Sequence, residues 1–127
     1  MHFIKTEPEI TLTPEELTET IGESISFMCE AKGWPVPQID WKVFQENVEM
    51  PLPTDDIHIS VRSHIKLDEY ETTSWLQISA IERRHSKIYI CVAHNSQGEE
   101  RADCKLVVGN YNRNLSSIQT NRIDEEL

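Results

Sequence analysis

The chain has 127 residues, which is enough for one domain of about 100 residues with additional terminal segments. Acidic residues outnumber basic residues 22 to 12, and the net charge is −10 at pH 7. This balance argues against nucleic acid, heparin and anionic membranes as main partners. No segment approaches the roughly 20 apolar residues that span a bilayer, so we expect no membrane insertion within this chain.

Short alternating runs of apolar and polar residues, separated by clusters of Gly, Pro, Asn and Asp, predict an all-β sandwich or barrel. Two segments read as loops, residues 33–37 because of two close prolines, and residues 45–56 because no period is present. The expected domain occupies residues 9–108, after an extension (1–8) and before a polar tail (109–127). Predicted strands cover residues 9–13, 17–21, 24–29, 38–44, 57–61, 64–67, 74–81, 88–95 and 99–108.

The side chains that most often carry chemistry form no recognisable site. The three cysteines include no CxxC pair, and the five histidines lack ligand spacing, so we expect no metal and no cofactor. The sequence contains no phosphate-binding glycine loop, no GxSxG elbow and no HExxH motif. We therefore expect neither catalysis nor a small-molecule substrate.

Four residues have a characteristic spacing. Cys29 and Cys91 occupy inward-facing positions of separate predicted strands. Trp41 lies 12 residues after Cys29, and Tyr89 lies two residues before Cys91. These residues stand in the stretches GESISFMC (22–29), GWPVPQIDW (33–41), WLQI (75–78) and YICVAHNSQG (89–98).

On these stretches the chain resembles the immunoglobulin superfamily, and more narrowly its intermediate (I) set, over residues 9–108. The resemblance implies a Greek-key β-sandwich of two antiparallel sheets with a Cys29–Cys91 disulfide between them. It further implies that Trp41 packs on the disulfide, that Leu76 lies in the core, and that the Tyr89 hydroxyl bonds to the preceding turn. In the chain-entropy model such a disulfide stabilises the domain by roughly 4 kcal/mol.

Two features depart from the family pattern. The turn before Tyr89 usually carries Asp-x-Gly, with the acid paired to an arginine of the fourth strand. Here it reads His85-Ser86-Lys87, so Arg62 is expected to lack that partner. Cys104 is the unpaired cysteine. The alternation of apolar residues predicts that its side chain faces inward, as a buried and inert thiol. The competing interpretation is that Cys104 forms an intermolecular disulfide.

A protein-binding surface can be sought among outward-facing apolar side chains. Period-two alternation predicts that Phe44, Ile90 and Val92 form an exposed apolar strip on one sheet, and Trp34 and Trp75 are further candidates. The alternative is a scatter of ordinary surface residues, or side chains covered by the loop 45–56. Asn114 begins a glycosylation sequon in the tail, which chance alone could also produce.

The favoured function is a passive, protein-binding adhesion or recognition module of a secreted or cell-surface protein, with other proteins, and a second copy of itself, as candidate partners. The N-terminus lacks the layout of a signal peptide, so the chain is either cytoplasmic or a mature chain or fragment, and the resemblance to the immunoglobulin superfamily favours the second. Two alternatives remain: a structural spacer resembling intracellular muscle I-set domains, and a soluble module that binds a growth factor.

Overall fold

The computed structural model describes residues 4–110 and contains two β-sheets packed face to face. A four-stranded sheet has the order β1-β3-β7-β6, and a five-stranded sheet has the order β2-β9-β8-β4-β5. Apart from the parallel pair β2–β9, neighbouring strands are antiparallel, as in an immunoglobulin-like sandwich. The strands are β1 Thr6–Leu12, β2 Leu17–Thr20, β3 Ile25–Trp34, β4 Gln38–Gln45, β5 Val48–Leu52, β6 Ile59–Lys66, β7 Glu71–Ile78, β8 Ile88–Asn95 and β9 Gly98–Gly109.

The start of the chain differs from the prediction. Strand β1 begins at Thr6, three residues earlier than expected, and pairs with β3 as far as Trp34. Gly33 and Trp34 therefore belong to a strand and not to the predicted loop. Gly33 permits this close pairing, because a Cβ atom there would lie 3.3 Å from the carbonyl oxygen of Glu7 and the Cα of Pro8.

The prediction of an irregular connection over residues 45–56 is wrong, because strand β5 lies within it. Glu46 and Asn47 form a two-residue turn, both with positive φ (53° and 64°), and the chain then returns along β4. Pro51 does not interrupt this pairing. It occupies a position in the edge strand where the backbone nitrogen points away from β4. The segment 57–67, predicted to hold one or two short, weak strands, contains one continuous strand, β6.

A cross-linked core joins the sheets. The sulfurs of Cys29 and Cys91 are bonded at 2.01 Å, and Trp41 on β4 is 1% exposed. The Trp41 indole Nε1–H donates a hydrogen bond to Ser74 Oγ at 2.9 Å, so the ring satisfies its polar atom inside the core. Leu76 on β7 is fully buried beside them.

Tyr89 anchors the turn before its own strand. Its side chain is buried, and its hydroxyl donates a hydrogen bond to the carbonyl oxygen of His85 at 2.8 Å. Burial raises the pKa of the phenol, so it remains a donor. Cys104 is buried with its thiol 3.5 Å from the Tyr89 carbonyl oxygen, and burial raises its pKa to about 12. Cys104 is 5% exposed, which fits the buried thiol expected from the alternation.

Candidate protein-binding surfaces

The outer face of the five-stranded sheet is not the exposed apolar strip predicted from the sequence. Ile90 and Val92 point away from the core cluster, as expected, yet they are only 3% and 4% exposed. The prediction that both residues are available for contact is therefore wrong. Alternation identifies the face on which a side chain lies, but other side chains on that face decide its exposure.

A charged clasp covers these two residues. Arg101 on β9 and Glu49 on β5 form a bidentate pair, with nitrogen–oxygen distances of 2.6 and 2.8 Å. Because β8 and β4 lie between their strands, the two side chains reach each other across Val92 and Ile90. Lys42 lies 3.7 Å from Glu49. The hydrogen bonds from Arg101 hold the pKa of the Glu49 carboxyl below its ordinary value.

Apolar exposure on this face is confined to one end. Phe44 on β4 and Ile88 on β8 are cross-strand partners, 39% and 37% exposed. They lie beyond the clasp, close to the β4–β5 turn. Of the three residues predicted to form the strip, the structure leaves Phe44 accessible and supplies Ile88 as its neighbour.

Trp34 lies at the end of the sandwich where β3 meets β1. Its ring packs edge-on against Tyr70 at a centroid distance of 5.6 Å, and the side chain is half-buried. A recess of about 390 Å³ adjoins the two rings, and Glu7, Glu9 and Glu69 are among its lining residues. Trp34 is thus a partly accessible aromatic residue beside an acidic rim.

Trp75 is also half-buried and lies on the outer face of the four-stranded sheet. The Arg62 guanidinium stacks over its ring at 4.7 Å from the centroid, within the range of a cation–π contact. The Trp75 ring thus gives the Arg62 guanidinium a contact, although the acid that the family turn usually supplies is absent. It also covers part of the Trp75 ring, which reduces the surface that this residue offers to a partner.

The missing acid of the 85–87 turn is replaced by a reversed ion pair. Asp56, just before β6, accepts a hydrogen bond from Arg84 at 2.6 Å, and its Oδ2 lies 3.0 Å from Nε2 of the buried His85. The backbone N–H of His58 donates to the same carboxylate at 2.9 Å. The acid thus comes from the β6 side and the bases from the turn, opposite to the usual arrangement. Led by the Arg84 hydrogen bond, these contacts hold the pKa of Asp56 well below 3.8.

The hydrogen bonds of His85 define its tautomer. Its Nδ1 accepts the backbone N–H of Glu82 at 2.9 Å, so Nδ1 carries no proton. Nε2 therefore bears the hydrogen and donates to Asp56. A neutral imidazole thus connects the turn before β8 to the segment before β6.

A groove opens between the edges of the two sheets. Its volume is about 750 Å³, and it runs between β5 and β6. Met50, Leu52, Ile57 and Ile59 supply apolar walls, and the Asp56–Arg84–His85 cluster lies at one end. The groove lies where β5 and β6, the edge strands of different sheets, are not hydrogen-bonded to each other.

Within residues 4–110, no cluster of three or more His, Cys, Asp or Glu side chains could hold a metal ion. None of the helical segments in this range has the length and apolar character needed to cross a membrane. The sequon residue Asn114 lies outside the described residues.

The paired sheets, the central disulfide and the buried tryptophan define an immunoglobulin-like domain. The family described as "Immunoglobulin I-set domain" matches residues 8–108, and the chain belongs to that family. The resemblance stated from the sequence is thereby confirmed.

Relatives with this domain are larger than the chain. It is 39% identical over 114 residues to "Insulin-like growth factor-binding protein-related protein 1" of Cupiennius salei, covering 89% of the chain and 44% of the relative. It is 33% identical to "Kazal-type serine protease inhibitor domain-containing protein 1" of Mus musculus, covering 82% and 33%. "Neural cell adhesion molecule 1" of Mus musculus is 31% identical, covering 73% and 8%. The chain spans less than half the length of these relatives.

Solved structures agree on the fold. "Tandem Ig repeats of Dlar" superposes with a TM-score of 0.69 at 26% identity, covering 84% of the chain and 50% of that structure. A chimeric titin Z1Z2 structure superposes with a TM-score of 0.71 at 19% identity, covering 85% and 99%. At 19% identity the titin similarity bears on the fold alone.

Asp56→Asn should destabilise the domain by about 1 to 2 kcal/mol at pH 7, because the amide weakens the contacts to Arg84 and to the buried His85. Urea unfolding followed by tryptophan fluorescence measures this difference. Because the folded-state pKa of Asp56 is lowered, its contribution is present above pH about 4 and declines as the pH falls further. The difference in free energy of unfolding between the wild type and Asp56→Asn should therefore become smaller as the pH falls below about 4. The neighbouring Asp55→Asn serves as the control and should change stability by less than about 0.5 kcal/mol.

Ile90→Asp should act on stability, because Ile90 is 3% exposed beneath the Arg101–Glu49 clasp. An aspartate there loses apolar burial and acquires a poorly solvated charge, at an expected cost of about 3 kcal/mol. Thermal unfolding monitored by circular dichroism measures the loss. Ile88→Asp, at the exposed cross-strand position, should cost less than about 1 kcal/mol. Equal losses at the two sites would contradict the burial of Ile90.

Proposed function

We propose that this domain is a protein-binding module of a secreted or cell-surface adhesion or recognition protein. Its action is passive, with a rigid sandwich presenting side chains to another protein while no residue performs chemistry. The Cys29–Cys91 disulfide carries the proposal, since such bonds form and persist in oxidising compartments. Similarity to a neural cell adhesion molecule supports the same class.

Contact is assigned to the accessible aromatic residues. Phe44, with Ile88 beside it, provides an apolar patch on the five-stranded sheet. Trp34 provides a second anchor beside its acidic recess at the opposite end of β4. Aromatic side chains dominate interface energies because they bury a large area with few rotatable bonds. Trp75 contributes less, because Arg62 stacks on its ring.

A second candidate function is binding of a growth factor within a secreted protein. The observation that favours it is the 39% identity to a relative named as related to insulin-like growth factor-binding proteins. A structural spacer has weaker support, because the titin structures are 16 to 22% identical and resemble the chain in fold only.

The secretory assignment is tested by intact mass measurement on protein purified from its natural source under alkylating conditions. We expect the Cys29–Cys91 pair to be oxidised, which lowers the mass by two hydrogens from the fully reduced value. We also expect a single thiol, at Cys104, and a glycan on Asn114. Reduction with dithiothreitol should restore the two hydrogens. Three free thiols and no glycan in the native material would instead support the intracellular spacer.

The homophilic form of the proposal is tested by sedimentation velocity. Wild-type protein should self-associate with increasing concentration, and Phe44→Asp should shift it to the monomer, because the charge disrupts the exposed Phe44–Ile88 patch. Gln77→Asp is the matched control, since Gln77 is exposed on the other sheet. An unchanged profile for Phe44→Asp, or a monomeric wild type at all concentrations, would remove homophilic binding through this patch.

A further inference from the structure

Strand β6 is an unpaired edge whose hydrogen-bonding phase can be determined. The backbone N–H of Ser79 bonds to the His58 carbonyl oxygen at 2.9 Å. Because antiparallel pairing alternates, the even-numbered residues of β6 bond to β7 and the odd-numbered ones direct their N–H and C=O groups outward. Ile59 uses its outward N–H for a bond to Asp56. Val61, Ser63 and Ile65 therefore face the free edge with both backbone groups.

The other three edges of the described sheets carry features that oppose strand addition. On β5, Pro51 replaces an outward N–H. On β1, Pro8 and two register shifts break the regular edge, and Glu100 accepts the N–H of Ile10. Strand β2 has only four residues. Strand β6, in contrast, has eight residues, no proline and no shift in register.

The outward-facing side chains of β6 include two cations, Arg62 and Lys66, and no anion. Arg62, His64 and Lys66 follow one another at alternate positions, and the strand contains no acid, although the whole chain has a net charge of −10. Within the sheet, the Lys66 ammonium lies 3.9 Å from Glu71. An added strand with acidic residues at the matching positions would extend this pairing beyond the edge.

The inward-facing side chains of β6 are uncharged. Ile59, Val61 and Ile65 lie on this face, and Ile65 is 55% exposed. The 750 Å³ groove meets β6 only at Ile59, the first residue of the strand, and Met50 and Leu52 line its other side. Apolar side chains of an added strand would therefore lie beside Val61 and Ile65, on the uncharged face of the edge.

A second copy of the chain is a poor occupant of this edge. Two β6 strands paired antiparallel place even-numbered positions opposite even-numbered positions. Arg62, His64 and Lys66 of one copy would then lie against the same set in the other, and like charges directly opposite each other are destabilising. Charge complementarity instead favours a partner of opposite sign.

We propose that β6 binds an extended segment of another protein by strand addition, and that this segment alternates acidic with apolar residues. Its acids lie beside Arg62, His64 and Lys66, its apolar side chains lie beside Val61 and Ile65, and its backbone pairs with Val61, Ser63 and Ile65. The inference rests on the proposed protein-binding function and adds a surface distinct from the Phe44–Ile88 patch.

The test uses the full chain and a synthetic, end-capped peptide that alternates glutamate and valine and is about as long as β6. Amide chemical shifts followed during a titration should move for Val61, Ser63 and Ile65, and those amides should exchange more slowly with solvent. A peptide with lysine in place of glutamate should bind at least about tenfold more weakly. A peptide methylated on alternate backbone nitrogens should not bind when the methylated edge faces β6.

Ile65→Pro and Ile65→Ala form a matched pair. Proline removes an outward N–H and leaves the β6–β7 bonds in place, so it should weaken peptide binding about tenfold or more, whereas alanine should change it less than about threefold. If Ile65→Pro does not fold, the methylated peptide tests backbone pairing on the wild-type chain. Failure of the glutamate–valine peptide to bind, shifts located elsewhere, or equal binding of the methylated peptide would overturn strand addition. None of these results depends on Phe44, so they leave the sedimentation test unaffected.

Discussion

The Cys29–Cys91 disulfide, with Trp41 as the cross-strand neighbour of Cys91, is the constraint on which the other features of the domain depend. It joins β3 to β8 with a Cα separation of 6.6 Å and places β4 against the bond. With Cys91 fixed in the core, alternate residues of β8 must also face the core, and Tyr89 is one of them. The pairing of β9 with β8 then places Cys104 and Leu106 on the same inner face. The buried indole also requires an acceptor, and Ser74 on β7 supplies it, so the polar atom of Trp41 connects the two sheets.

The reversed ion pair at the turn before β8 illustrates how a family feature persists with different residues. The usual pattern places an acid in the turn and an arginine on the strand across from it. In this chain the turn supplies Arg84 and His85, and Asp56 supplies the acid from the segment before β6. The same two segments are joined with the charges exchanged. Arg62 instead stacks on Trp75.

Sequence periodicity predicted the elements in which alternation and flanking turns agree. Strands β4, β8 and β9 lie close to their expected positions, because Ile39, Trp41 and Val43, or Tyr89, Cys91 and Ala93, alternate without interruption. Strand β5 was not predicted because its turn uses Glu46 and Asn47 in a left-handed conformation without glycine, and because Pro51 suggests a loop. A proline is compatible with an edge strand when its nitrogen faces outward, and only the pairing partner reveals that orientation.

The candidate surface was harder to predict than the fold for a related reason. Alternation correctly placed Ile90 and Val92 on the outer face, but their exposure depends on Arg101 and Glu49. Arg101 comes from β9, which adjoins β8 on one side, and Glu49 comes from β5, two strands from β8 on the other side. Predicting this contact requires the strand order of the sheet and the position of β5, and sequence periodicity did not predict β5. Where long charged side chains cover the apolar centre of a sheet face, the apolar groups that stay accessible lie at its margin. On the five-stranded sheet this margin is the Phe44–Ile88 end, whereas the Trp34 recess and the open β6 edge belong to the four-stranded sheet, so the accessible apolar groups of the domain are divided between the two sheets.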